Sequence, residues 1–378
     1  MNKRIQPLDG LRTIAALGVI WVHVWAFYKI PKLSFFSIDF YQLISIVGNG
    51  VDFFFVISGF CMYLMTGNKA FSIGSYLKFI YKRFLRIAPA FYVSVLVYAI
   101  YVKIENPDFL FLYNVVFHFL FLNNIVTGNT ISAPFWSIGT EWHFYMLLPL
   151  VIILSRKLSI TKAVLLLSIC SIALFCIVNL GYLSFDFWEK QILIRFPEFG
   201  VGIIAADLFK KNRKLPSFLK GTKGILVAVI IMFLGRSMKF TPLLEALKTN
   251  GFLVKSLALP VMTFGFSVLL FHVVTETSRI SKWLSGKMIT YLGRISYSIY
   301  LWHSLIIILL SPLLVVLPFG TLNLVAGFFL VSILTIIVSH FSYNFLESFY
   351  FKRKRDEKTF NNNDTPYPVQ RPVDTVVS

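Results

Sequence analysis

The chain has 378 residues, of which 57% are hydrophobic and only 14% charged. Its mean hydropathy of +0.74 and its apolar share exceed those of soluble domains, where apolar usage is roughly 45–50%. These values exclude a soluble globular enzyme and indicate a polytopic membrane protein. The net charge of +19 does not indicate nucleic acid, because the basic residues fall in the short connections between apolar runs, as cytoplasmic loops require.

The apolar runs are unbroken rather than alternating, so helices are expected and not a barrel. In chain order the predicted spans are 11–29, 42–65, 84–103, 134–155, 162–181, 191–209, 222–236, 253–273, 289–312 and 321–345, each judged against the about 20 apolar residues a crossing needs. The first follows a basic start, MNKR, with no small-residue cleavage site after it, and reads as a retained span. Ten spans with both termini cytoplasmic put Lys78, Lys82, Arg156, Lys157, Lys210 and Lys211 inside, together with Lys3, Arg4 and Lys69. They leave Lys29, Lys32, Lys103, Lys190, Arg236, Lys239, Lys248 and Lys255 outside. Counting 109–124 as a span would invert every later loop, so this aromatic-rich segment reads as an outer-face interfacial or re-entrant helix. The expected organisation is a membrane domain over 1–350 and a disordered cytoplasmic tail over 351–378, which is polar and proline-bearing.

Ionisable groups inside apolar runs are costly and point first to function. Arg12 and His23 lie eleven residues apart in LDGLRTIAALGVIWVHVW, roughly three helical turns, and therefore on one stripe. In GVDFFFVISGF, Asp52 suggests a functional or ion-paired role, while Ser58 and Gly59 fit helix packing equally well. Arg83 and Arg86 in KRFLRIAPAFY are i, i+3 neighbours, expected at a helix N-terminus where free N–H groups favour anions. A phosphate-bearing ligand and anionic lipid headgroups suit them equally. FWSIGTEWHFY holds Trp136, Ser137, Glu141 and Tyr145; a buried Glu141 needs a partner or a proton, and Trp136 and Tyr145 either line a sugar-sized cleft or anchor at the interface. Arg195 and Glu198 in IRFPEFGVG are expected to pair with each other, with Glu141 or with Asp52. His303, with Tyr297 and Tyr300 nearby, reads as a structural or a second catalytic histidine. Cys61, Cys170 and Cys176 lack paired spacing, so neither a disulfide framework nor a zinc site is expected. No P-loop, GxSxG or HExxH motif occurs.

These stretches, in this order, resemble the membrane acyltransferase type 3 family, and the resemblance runs to about residue 345. It implies about ten spans and transfer of an acyl group, usually acetyl, from cytoplasmic acyl-CoA as co-substrate, with no tightly bound cofactor. The acceptor it implies is a hydroxyl of a surface or lipid-linked glycan such as a polysaccharide or lipopolysaccharide. It implies a bacterial inner membrane, His23 as the catalytic histidine, and Arg12, Arg83 and Arg86 as donor-binding residues. Glu141 matches an acidic position after Trp-Ser, and Asp9 lies in the first matching stretch. The appended extracytoplasmic hydrolase-like domain of some members is not expected in this chain. A thioester is already activated, so positioning plus a base suffices, and an imidazole, with an ordinary pKa near 6.5, suits that role. Direct transfer with His23 as general base is favoured over an acyl-histidine relay. The rival reading is a transporter or flippase for an anionic or sugar-lipid substrate, using the same polar residues as a relay.

Overall fold

The computed structural model describes residues 5–28, 34–35, 38–39, 48–66, 72–126, 131–239, 251–317 and 323–348. Lys3, Arg4, Lys29, Lys32, Lys69, Lys248 and the tail from 351 lie outside the described residues. The first helix is α1 (Gln6–Tyr28), followed by a minimal antiparallel ladder of β1 (Ser34–Phe35) and β2 (Ile38–Asp39). Next come α2 (Gly50–Thr66), α3 (Ile73–Glu105), α4 (Phe111–Phe119), α5 (Trp136–Lys157), α6 (Ile160–Asn179), α7 (Phe185–Trp188) and α8 (Ile192–Lys210). The chain continues through α9 (Gly221–Lys239), α10 (Phe252–Thr275), α11 (Arg279–Leu284), α12 (Lys287–Arg294), α13 (Ser296–Val315) and α14 (Asn323–Ser342). A π-helical turn, Tyr343–Glu347, extends α14.

Eight of these helices are long and apolar enough to cross a membrane, and the protein is a multi-pass membrane protein. Two of the ten predicted spans fall short of that standard. The segment 42–65 is helical only from Gly50, among the described residues, giving a 17-residue helix. The segment 191–209 forms α8, which carries Arg195, Glu198, Asp207 and Lys210. These two helices pack on each other at the centre of the bundle. A Cβ at Gly59 would collide with the Phe199 carbonyl oxygen, and one at Gly202 with that of Val56. Such small-residue contacts let backbones approach closely where apolar side chains gain little from leaving lipid.

Three further boundaries differ from the sequence expectation. The run 289–312 breaks at Ile295, where the polar-faced α12 gives way to α13, so the crossing starts at Ser296. Residues 109–124 do not span: α4 has nine residues, about 13 Å at 1.5 Å per residue, and Phe121 leaves it with φ 58°. Helix α3 begins at Ile73, because Ser72 caps it and exchanges hydrogen bonds with Ser75 in a capping box. Arg83 and Arg86 are therefore more than two turns inside α3, and the expected anion site at a helix N-terminus is not there.

Candidate active site

The interior of the bundle opens into a cavity of about 240 Å³. Arg12 enters it from α1, Ser58 and Cys61 from α2, Arg83 and Arg86 from α3, Glu141 and Tyr145 from α5, and Tyr297 and Tyr300 from α13. The stripe logic explains Arg12: it stands one turn from Asp9, which accepts its Nη1–H at 2.8 Å, while Nη2–H reaches Cys61 Sγ at 3.2 Å. Asp9 is buried and serves to hold Arg12, without lining the cavity itself. Arg83 is fixed by the Phe79 ring, 5.6 Å from its guanidinium carbon, and by Met65 Sδ at 3.1 Å. The lining thus holds three guanidinium groups and one carboxylate, a low-dielectric site suited to an anion.

Glu141, six residues into α5 counting Trp136 as the first, is that carboxylate. Its Oε1 accepts from Ser58 Oγ at 2.7 Å and from Tyr145 Oη at 2.5 Å. Ser58 is therefore an interhelical donor to a functional candidate, while Gly59 on the same turn is a packing residue. Ser137 lines the cavity and shares a 2.6 Å hydrogen bond with Tyr300 Oη, which also reaches the Pro134 carbonyl. Tyr297 donates to the Ile87 carbonyl at 3.0 Å, one residue beyond Arg86.

His23 is not in this lining. Its ring packs against His303, with centroids 4.9 Å apart, and His303 lies one residue short of a full turn beyond Tyr300 on α13. In both residues Nδ1 faces a backbone carbonyl, Val19 at 2.8 Å for His23 and Tyr300 at 2.7 Å for His303. A carbonyl only accepts, so each Nδ1 carries the hydrogen and each Nε2 presents its lone pair. His303 Nε2 is buried without a hydrogen-bond partner. The helix backbone orients the His23 ring through the Nδ1–H bond to the Val19 carbonyl. Arg12 and His23 share a stripe of α1 but serve different surroundings, because α1 passes from α2 to α13 and α14 along its length.

Asp52, Arg195 and Glu198 form a separate cluster. Arg195 Nη1 lies 3.1 Å from Asp52 Oδ1 and 3.1 Å from Glu198 Oε1, and neither contact involves Glu141. Asn49 donates to the other oxygen of Asp52 at 2.6 Å. The cluster borders a second cavity, of about 480 Å³, which Trp136, Glu189, Arg236 and Lys255 also line. Arg236 and Lys255 belong to the set the charge pattern assigned to outer connections. Sequence reading took Cys61 only as an unpaired cysteine and passed over Met65; their apolar neighbours hide their place in the first cavity. It also passed over Glu347, which is buried in the π-turn and takes a 2.5 Å hydrogen bond from Ser298. Its position beside the basic end of the last run gave no signal of burial.

A multi-pass helical bundle with a cationic interior cavity and a hydrogen-bonded carboxylate defines a membrane enzyme or carrier for an anionic ligand. The Acyltransferase domain family (Acyl_transf_3) matches residues 5–343. The chain belongs to this family and is a membrane acyltransferase. It is 26% identical over 408 aligned positions to the peptidoglycan O-acetyltransferase OatA of Listeria monocytogenes, covering 95% of this chain and 59% of the relative. It is 24% identical to the O-acetyltransferase OatA of Staphylococcus aureus, over 90% of this chain and 56% of that protein. A protein of Acidianus two-tailed virus, ORF330, whose name suggests an acetyltransferase, is 28% identical over 81% of this chain and 84% of its own length. The chain thus spans a little over half the length of the two OatA proteins. No solved structure matches it.

Proposed function

We propose that the protein is an O-acetyltransferase that takes an acetyl group from cytoplasmic acetyl-CoA and delivers it to a glycan hydroxyl on the opposite side of a bacterial inner membrane. The convergence of Arg12, Arg83 and Arg86 on one cavity with Glu141 carries this reading. Coenzyme A presents phosphates, which guanidinium groups bind bidentately. In this reading both termini face the cytoplasm, α2 and α8 complete ten crossings, and the first cavity opens inward. OatA of Listeria is named for peptidoglycan, which supports a glycan as acceptor here.

Catalysis in this scheme is direct. The donor lies with its phosphates at the arginines and its thioester near Glu141 and Ser58. The acceptor oxygen attacks the thioester carbonyl, the C–S bond breaks, and coenzyme A leaves as the thiol. His23 Nε2, whose lone pair is left free by the bond from Nδ1 to Val19, takes the hydroxyl proton and returns it to the departing sulfur. Glu141 holds Ser58 and Tyr145 in place and adds negative charge opposite the arginines. Asp9 fixes Arg12, and His303 keeps the His23 ring in its packed orientation.

The test uses detergent-solubilised full-length protein and radiolabelled acetyl-CoA, with donor binding and thioester loss followed separately. His23→Ala should bind donor and fail to consume it, and Arg86→Ala should bind poorly. Failure of the wild type to bind any acyl-CoA would overturn the proposal in favour of transport of an anionic or sugar-lipid substrate. A trapped acyl-histidine on mass spectrometry would replace direct transfer with a relay.

A further inference from the structure

The two cavities lie against the same pair of helices. Val51 lines both. On α5, Trp136 borders the second cavity and the next residue, Ser137, the first. Between them stand two rings: Phe55, which lines the first cavity, meets Trp136 edge-on with centroids 6.1 Å apart and planes at 80°. Phe55 is itself held by stacking on Phe199 at 4.6 Å. Trp136 is held by the Arg195 guanidinium, 5.0 Å from its ring. Arg195 in turn is anchored by Asp52 and Glu198 and by its Nε–H bond to the Glu189 carbonyl.

The second cavity is larger than the first, and its volume is within the range of small-molecule sites. Its walls combine carboxylates (Asp52, Glu189), cations (Arg195, Arg236, Lys255), amides (Asn49, Asn179) and aromatic faces (Phe175, Trp136). Hydroxyl groups pair with carboxylates and amides, and the C–H faces of a sugar ring lie against aromatic planes. We propose that this second cavity receives the hydroxylated sugar acceptor, and that Trp136, clamped between Arg195 and Phe55, is the partition separating it from the donor thioester. The proposal rests on the acetyl-CoA reading of the first cavity. With the partition closed, water on the acceptor side is kept from the thioester. With a sugar seated, its hydroxyl passes the ring edge and attacks the thioester carbonyl, and its proton ends on the departing sulfur. If the partition is lost, water attacks instead, the C–S bond breaks, and acetate, coenzyme A as the thiol and one proton are released with no acceptor present.

The measurement is acetate release from acetyl-CoA by the full-length protein without acceptor, alongside donor affinity. Trp136→Ala is expected to raise acetate release at least tenfold with donor affinity unchanged, and Trp136→Phe to stay near wild type. Phe55→Leu opens the same wall from the other side and should also raise it, which covers the case in which Trp136→Ala fails to fold. If the variants bind donor normally and release no extra acetate, the partition is refuted while the donor site stands. If the wild type binds no acetyl-CoA, the acetyl-CoA reading of the first cavity has failed, and the partition with it. In membranes of the producing cells, a Lys255→Cys protein in which Cys61, Cys170 and Cys176 are replaced by serine, blocked with a bulky maleimide, should bind donor and form no acetylated glycan, while the same protein left unblocked forms it. Continued product formation by the blocked protein would remove the acceptor from this cavity.

Discussion

Replacing Arg195 by methionine keeps the volume of the side chain and removes its charge. Arg195 answers two buried carboxylates, Asp52 and Glu198, each 3.1 Å away, and Glu198 is wholly inaccessible. Deleting one partner of a buried ion pair costs about 3–5 kcal/mol, because a charge is left without compensation. The cation–π contact with Trp136 adds roughly 1 kcal/mol. At about 2 °C per kcal/mol for a large chain, thermal unfolding in detergent should drop by roughly 8–12 °C. Adding Glu198→Gln and Asp52→Asn to Arg195→Met removes both orphaned charges, so the triple variant should recover more than half of the loss. A fall below about 2 °C for Arg195→Met, or no recovery in the triple variant, would show that the cluster is solvated or rearranges freely, and the argument from burial would be wrong.

Gly59→Ala should destabilise by about 1–3 kcal/mol or more through the clash with Phe199, read as a lower unfolding temperature; a neutral result would deny the close crossing of α2 and α8. Cys61 lines the first cavity; if the donor binds there as proposed, alkylation of Cys61 by a maleimide in a protein lacking Cys170 and Cys176 should slow on adding acetyl-CoA, and an unchanged rate would place the donor elsewhere. Glu141→Gln keeps an oxygen for Ser58 and Tyr145 and removes only the charge; turnover should fall on the order of 100-fold with unfolding temperature nearly unchanged. His303→Phe deletes a buried Nε2 that has no partner together with the Nδ1–H bond to the Tyr300 carbonyl, so stability should fall by no more than about 1.5 kcal/mol while turnover falls, and loss of fold in place of turnover would make His303 purely structural.

Much of the site was legible because lipid makes charge conspicuous. Arg12, Arg83, Arg86, Ser58, Glu141, Tyr145 and Tyr297 each interrupt an apolar run, and the structure gathers them in one cavity. The pairing of Arg195 with Asp52 and Glu198 was open among three options, and the bundle settles it by setting α2 against α8. Helix starts were less legible. The cap at Ser72 lies outside the apolar run, and periodicity alone begins α3 eleven residues late. The surroundings of His23 were not legible at all, since a stripe gives direction along one helix and says nothing of which neighbour it faces. The number of crossings divides for the same reason: α8 fails a hydropathy standard because its charges face protein and not lipid.

The crossing of α2 and α8 also bears on how the chain is made. Asp52 is the third residue of α2 and Arg195 the fourth of α8; a charged residue in an isolated membrane helix costs up to about 2.5–3.5 kcal/mol, the value at its centre, so neither helix is well suited to lipid alone. Asp52 leaves the ribosome 143 residues before Arg195, an interval of roughly 7–30 s at ordinary synthesis rates. During that time α2 holds an unanswered carboxylate and an open glycine face. Some other component, whether the insertion machinery, water near the membrane surface or the early helices α1 and α3, has to shelter it. Biogenesis of this protein therefore has a built-in waiting step, and conditions that lengthen it, such as slow translation between α2 and α8, should lower the yield of folded protein without altering the finished enzyme.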